Sequence, residues 1–254
     1  MRRTASRMLP GAATLGVGLV VWQGISFFFL PVYFPGPIDL VERMIDIYSD
    51  PASYLVVGET ILRIFEGFAF SMLGGIAIGL VMGLRRSVEI FFDSWVMVLL
   101  TFPAVCWAFL SVLWFGLSAV APIVTIVLVV LPFVVMNIWQ GTKAVEKQLI
   151  EMGRVYKANR SLMLRKVLIP QLMPYVFASL RIALSLSWKI ALVGEAFGVG
   201  TGVGQKLIYW FQDTRVDMIL AWGVSFMIVM VGVDLLVFRV WARRAFAWRP
   251  QFAS

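Results

Sequence analysis

The sequence predicts an all-α, polytopic membrane protein of about six transmembrane helices, with a cytoplasmic loop between the fourth and the fifth. Three observations carry this. Of the 254 residues, 61% are hydrophobic and only 14% are charged, and the mean hydropathy is +0.89. Apolar runs near 20 residues recur along the chain, and runs of that length cross a bilayer as helices because only a helix satisfies its own backbone there. The 22 Lys and Arg collect at the ends of those runs rather than on one soluble face, so the net charge of +8 speaks for membrane orientation and against nucleic acid.

The residue inventory also narrows the chemistry. Histidine is absent, which removes imidazole metal ligation and histidine-based triads. The single cysteine, Cys106, lies in an apolar run, so neither a disulfide framework nor a thiolate metal site is expected. No cofactor is expected, and the chain does not read as an enzyme.

Arg2, Arg3 and Arg7 precede the first apolar segment, Leu9 to Leu30, which is too long for a signal peptide and lacks a small-x-small cleavage site. It reads as an uncleaved first span with its N-terminus inside. Phe34-Pro35-Gly36-Pro37 ends it, and Pro37 pre-sets φ for a new helix. From Ile38 to Tyr48, the residues Leu40, Val41, Met44, Ile45 and Tyr48 share one side and Asp39, Glu42, Arg43 and Asp46 the other, so this helix should lie on the outer interface.

The second span begins near Tyr54, with Glu59, Arg63 and Glu66 close to its start, and ends at Arg85 and Arg86. Gly75, Gly79 and Gly83, spaced by four, form a flat stripe on which another helix can approach. The third span, Phe91 to Leu113, contains Phe102-Pro103 and should kink there. A short turn from Gly116 to Ala121 leads to the fourth span, Pro122 to Trp139, which carries Pro132.

Glu151 to Pro174 is a polar and basic island, with Arg154, Lys157, Arg160, Arg165 and Lys166. Two amphipathic pieces fit it: Gln148 to Tyr156, and Leu162 to Ile169 stopped by Pro170. The fifth span, Tyr175 to Phe197, contains Arg181, Lys189 and Glu195, and a glycine-rich loop from Gly198 to Gly204 follows. That loop lacks the Lys-Ser or Lys-Thr and the preceding strand of a phosphate loop, and is expected to shape a tight outer turn. The sixth span runs from Met218 to Val240 with Asp234 near its inner end. On this topology 16 basic residues lie inside and 4 outside, which sets both termini in the cytoplasm. The chain divides into residues 1–33, the tail and first span; 34–248, the transmembrane domain; and 249–254, a cytoplasmic tail.

The island resembles the cytoplasmic loop of the membrane subunits of binding-protein-dependent ABC importers, in particular the nitrate, sulfonate and taurine permease branch. That loop reads E-x-A-R-x-x-G, then I-x-L-P and a second proline. Here it stands as Glu151-Met152-Gly153-Arg154-Val155-Tyr156-Lys157, then Val167-Leu168-Ile169-Pro170 and Pro174. The resemblance continues in Thr60-Ile61-Leu62-Arg63, Phe102-Pro103-Ala104, Leu180-Arg181-Ile182-Ala183, Trp188, Glu195 and Gly202-Val203-Gly204, over about residues 34 to 248. Gly153 replaces the usual alanine, and Lys157 the glycine that supplies a left-handed turn. Either the turn slides to Asn159, which tolerates that conformation, or the loop is remodelled.

The resemblance implies a permease subunit in a bacterial inner membrane, most simply a homodimer set in lipid. Its partners would be cytoplasmic ABC ATPase subunits and an extracytoplasmic substrate-binding protein. A small anion such as a sulfonate, taurine or nitrate, or a vitamin precursor, would be carried. By the same resemblance the ATPase-coupling residues are Leu149, Glu151, Met152, Gly153, Tyr156, Lys157 and Pro170, with the helix around Glu151 docked in a groove of the ATPase. Translocation-pathway candidates are Arg181, Lys189 and Glu195. Lys189 in mid-span either lines the pathway as a positive field or is paired, with Asp234 or Glu66 as the partner. Two rivals are a gradient-driven secondary transporter, whose internal repeat the halves do not show, and a membrane-embedded enzyme recruiting Lys189, Glu66 and Asp234.

Overall fold

Eleven helices make up residues 2–245, the part of the chain that the computed structural model describes; the tail at 249–254 lies outside it. The first is α1, Arg2–Ser26. Its outward side chains, among them Leu15, Val17 and Val20, are bare, as on a helix that faces lipid. Its end is pinned: Gln23 Oε1 accepts the Ile38 N–H at 3.2 Å, and a Cβ on Gly36 would stand 2.5 Å from Ser26 Oγ.

Helix α2, Pro37–Ser49, starts with Pro37 in its first turn and with Asp39 Oδ2 accepting the Gly36 N–H at 2.7 Å. The face expected from its sequence is corrected. Leu40 and Ile47 are the buried residues, while Val41 and Ile45 are 56% and 65% exposed. The helix is amphipathic as expected, rotated so that Leu40, Met44 and Ile47 meet the protein. Arg43 Nε binds the buried carboxylate of Asp217 at 3.1 Å, which ties α2 to the start of the last helix. That carboxylate also holds Arg215 at 2.6 Å and keeps its guanidinium above the ordinary arginine range.

Helix α3, Pro51–Leu84, has 34 residues and a length of about 51 Å. It packs along α6, Val120–Lys143, through the expected glycine stripe. An added Cβ on Gly75 would meet Val134 at 2.6 Å, and one on Gly79 would meet Ile138 and the Val135 carbonyl at 2.8 Å. Gly67 extends the stripe towards the start of α3, against Ile126. Lipid tails are as apolar as these side chains, so close van der Waals packing rather than expulsion from water holds the pair together.

Between these helices lie α4, Arg86–Thr101, and α5, Ala104–Phe115. A single kinked span was expected; the two are separate helices bent by 101°. Phe102 (ψ 130°) and Pro103 (ψ 134°) are both extended, since a residue before proline is pushed out of the helical region and proline offers no N–H. The pair still carries the chain across. At one end Glu89 meets Lys143 of α6, and at the other Phe109 stacks on Phe197 at 4.8 Å.

The island forms α7, Lys147–Val155, and α8, Arg160–Met163, then a π turn, Leu164–Leu168, that runs into α9, Ile169–Gly198. The expectation that Pro170 stops the second piece is corrected. Pro170 sits in the first turn of α9, and the wide turn before it, with the Ile169 N–H bonded to the Leu164 carbonyl, lets the helix pass through a residue that cannot donate. Helix α10, Val203–Gln212, and α11, Val216–Ala245, complete the chain.

Helices α3, α6, α9 and α11 are each long and apolar enough to cross a membrane, the bent pair makes a fifth crossing, and α1 adds a shorter apolar stretch, Ala13–Ser26. The core joins Ile64 and Met72 of α3, Val130 and Val134 of α6, Ala191 of α9 and Phe226 of α11.

Candidate functional site

The basic loop stands clear of the bundle. Helix α7 is joined to α9 by the Glu146 N–H, which donates to Gln171 Oε1 at 2.9 Å. Its apolar side chains do not fold back under the loop: Met152 is 51% exposed, Val155 79% and Tyr156 80%. Leu149 is half-buried and Glu151 is exposed. Gly153 lies in the second turn of the helix, Lys157 just beyond its end, and Pro170 at the root of α9.

The turn between the short helices settles one open alternative. Lys157 itself takes the left-handed conformation, with φ +50°, at the position where the glycine of the resembling loop would stand. The turn does not slide to Asn159. That residue starts α8 instead, its Oδ1 accepting the Leu162 N–H at 2.8 Å. Close by, Glu89 takes Arg86 Nη1 at 2.8 Å and also Lys143 Nζ, so the starts of α4 and of the loop share one carboxylate.

The three pathway candidates on α9 have different surroundings. Lys189 is exposed, and its ammonium lies 5.6 Å from the centre of the Trp188 ring. The expected pairing with Asp234 or Glu66 is not formed, and among the described residues no carboxylate lies within 4.0 Å of Lys189. Arg181 is exposed too and shares a cavity with Asp234.

Glu195, the third candidate, is the most enclosed of the three. It is 0% exposed, and its carboxylate is taken up by Arg63 Nη1 at 2.7 Å, Thr60 Oγ1 at 3.0 Å and the Gly204 N–H at 3.0 Å. Arg63 reaches further, donating to the Thr201 carbonyl at 3.0 Å and to Glu59 Oε2 at 3.1 Å. The glycine loop is thus seated on the carboxylate. Gly202, at φ +118°, would bring a Cβ within 2.5 Å of Glu195 Cδ, so only glycine fits there.

Sequence reasoning placed Glu59, Arg63 and Glu66 near the start of a span, and Thr60 in the resembling stretch, but did not join any of them to Glu195. The signal was present: two carboxylates and a guanidinium inside apolar helices need one another. A second feature it did not foresee is the hollow of about 610 Å³ at the bend of α4 and α5, walled by Met97, Val98, Phe102 and Pro103, with Asp93 at its rim.

Comparison with known proteins agrees with this architecture. The chain is 26% identical to the taurine transport system permease protein TauC of Escherichia coli (strain K12), over 94% of this chain and 89% of that protein. It is 25% identical to the putative aliphatic sulfonates transport permease protein SsuC of Bacillus subtilis (strain 168), over 96% and 89%. Among solved structures, an inward-facing conformation of the MetNI methionine ABC transporter has the same fold, with a TM-score of 0.62 and 19% identity over 78% of this chain and 98% of that one. The model of the family described as "Binding-protein-dependent transport system inner membrane component" matches residues 75–247, and the chain belongs to that family.

Proposed function

We propose that this chain is half of a dimeric permease that imports a small anion handed over by an extracytoplasmic binding protein, and that α7 docks on a cytoplasmic ATPase subunit. The observation that carries the reading is the exposure of Met152 and Val155 on a nine-residue amphipathic helix, and of Tyr156 just after it, at the basic end of the bundle. Apolar side chains bared on such a helix are the anchors of helix-in-groove recognition. Leu149, Met152 and Tyr156 would fill the groove, Glu151 would meet a cation or donor on its wall, and Gly153 would allow close approach. Lys157 and Pro170 would set the direction of the helix against α9.

The substrate class rests on Lys189. A lysine exposed in mid-helix with no carboxylate partner among the described residues raises a positive potential where a second copy of the chain would close the pathway. The name of SsuC, with aliphatic sulfonates, agrees with a small anion. Both termini face the cytoplasm in this reading, and the membrane is the bacterial inner membrane.

The test is a pull-down of the tagged protein, solubilised from its native membrane, beside the variant Glu151→Arg. The wild type should bring down a stoichiometric ATPase that the variant loses while still inserting in the membrane. Recovery of the chain alone, with uptake unaffected by depletion of ATP, would replace this reading with a gradient-driven transporter.

A further inference from the structure

A cavity of about 240 Å³ lies at the end of the bundle where α3 begins, away from the basic loop. Four helices and one turn wall it: Asp46 comes from α2, Asp50 from the turn into α3, Ser53 from the first turn of α3, Lys206 and Trp210 from α10, and Trp222 from α11. Its depth follows from the length of α3. Centred in a bilayer, a helix of about 51 Å overruns a hydrocarbon core of about 30 Å by about 10 Å at each end, so its first two turns stand among the lipid headgroups. The aromatic residues agree with that level. Tyr48 meets Tyr54 at 5.6 Å and Tyr209 meets Trp210 at 5.0 Å on the segments that wall the cavity, and tyrosine and tryptophan gather at the boundary between hydrocarbon and water.

The polar groups of the cavity divide by what they already hold. Asp50 Oδ1 caps α3 by accepting the Ala52 N–H at 3.0 Å, and Asp46 Oδ2 takes Arg43 Nη1 at 3.5 Å; both residues are exposed. The donors hold nothing. Ser53 is 6% exposed and lines the cavity, and its hydroxyl has no hydrogen-bond partner among the described residues. The indole N–H of Trp210 is buried and has no acceptor. Lys206 is half-buried, and among the described residues no carboxylate lies within 4.0 Å of its ammonium. Buried donors left without an acceptor are costly, and three on one cavity call for an oxyanion. The two carboxylates nearby would repel a ligand of net negative charge, unless the same molecule also brings them a cation. Each still has lone pairs free to accept from one.

The size of the cavity limits how much of the occupant enters. Sites that enclose a whole small molecule run to roughly 300–1,000 Å³, so this one takes in a headgroup and leaves the rest outside. We propose that the cavity seats the phosphoethanolamine headgroup of a membrane lipid. The phosphate lies against Lys206, Ser53 and the Trp210 N–H, the ammonium against Asp46 and Asp50, and the acyl chains stay outside, where the hydrocarbon begins. Phosphatidylglycerol offers the same phosphate with no cation for the carboxylates. Phosphatidylcholine offers a cation that cannot donate a hydrogen bond.

The test is native mass spectrometry of the purified full-length protein in detergent, titrated with the dihexanoyl forms of these three lipids. Phosphatidylethanolamine should bind about tenfold more tightly than phosphatidylglycerol, with phosphatidylcholine also below it. The double variant Asp46→Asn with Asp50→Asn should bind phosphatidylethanolamine and phosphatidylglycerol equally; asparagine at position 50 still caps α3, so the helix keeps its start. Ser53→Ala and Lys206→Gln should each weaken all three lipids several-fold while the protein elutes as a single species. Equal binding of the ethanolamine and glycerol lipids by the wild type, or a preference that survives in the double variant, overturns the proposal. A soluble probe, O-phosphoethanolamine, separates a lipid from a solute: binding as tight as that of the short-chain lipid would overturn the assignment to a membrane lipid.

Discussion

Arg63 Nη1 stands 2.7 Å from Glu195 Oε1, though the two lie 132 positions apart in the chain with every helix from α4 to α8 between them. The pair closes one end of the bundle, joining α3 to α9 and, through Thr201 and Gly204, to the loop beyond. Removing one partner of a buried pair leaves a bare charge and costs about 3–5 kcal/mol, whereas removing both costs far less. Arg63→Met should therefore lower the thermal midpoint of the solubilised protein strongly, and the double variant Arg63→Met with Glu195→Gln should recover part of that loss. A double variant as unstable as the sum of the two single ones would show that the charges are not coupled.

The glycines of the bundle are not equivalent. At Gly79 an added methyl meets the Val135 carbonyl at 2.8 Å, an atom of a helix backbone that cannot swing aside. At Gly223 nothing lies within 4 Å. Gly79→Ala should thus force α3 and α6 apart and lower stability by about 1–3 kcal/mol. Gly223→Ala should be neutral or stabilising by up to about 1 kcal/mol, because alanine loses less entropy in a helix. Thermal unfolding of the two variants in one detergent decides the matter, and equal effects would remove the close packing at Gly79.

These two cases mark what could be read in the chain beforehand. The stripe of Gly75, Gly79 and Gly83 was legible because helix periodicity alone puts residues four apart on one face. The junction of Arg63 and Glu195 was not, since a tertiary contact has no local period. Proline misled in both directions. At Phe102-Pro103 two consecutive extended residues made a 101° bend where a kink was expected, and at Pro170 a π turn let the helix continue where a stop was expected. What decides such cases is whether neighbouring helices have room for the displaced turn, and no single segment records that. The cytoplasmic loop was legible as a loop from its charges; the bare side chains of Met152 and Tyr156 required the fold.

The loop carries a small strain of its own. Lys157 holds φ at +50°, a conformation that costs a residue with a Cβ about 1 kcal/mol and a β-branched residue more. Lys157→Gly should leave the loop folded with slightly greater protection of its amides, and Lys157→Val should reduce protection across residues 155–163. Hydrogen exchange followed by mass spectrometry reads both. Equal protection in the valine variant and the wild type would mean that the left-handed turn is not kept in solution.

Lys189 separates a field from a fold. Because no carboxylate among the described residues lies within 4.0 Å of it, its charge contributes little that holds this chain together, and the stem lies beside Trp188. Lys189→Met keeps the length of the stem and discards the charge. The yield and thermal midpoint of the variant should match the wild type, while uptake of a small anion falls several-fold and becomes less sensitive to salt. Lys189→Arg should restore most of the uptake, since a potential needs only the charge. Loss of folded protein in Lys189→Met would instead show that the ammonium is paired in the assembled transporter, with a carboxylate supplied by another subunit.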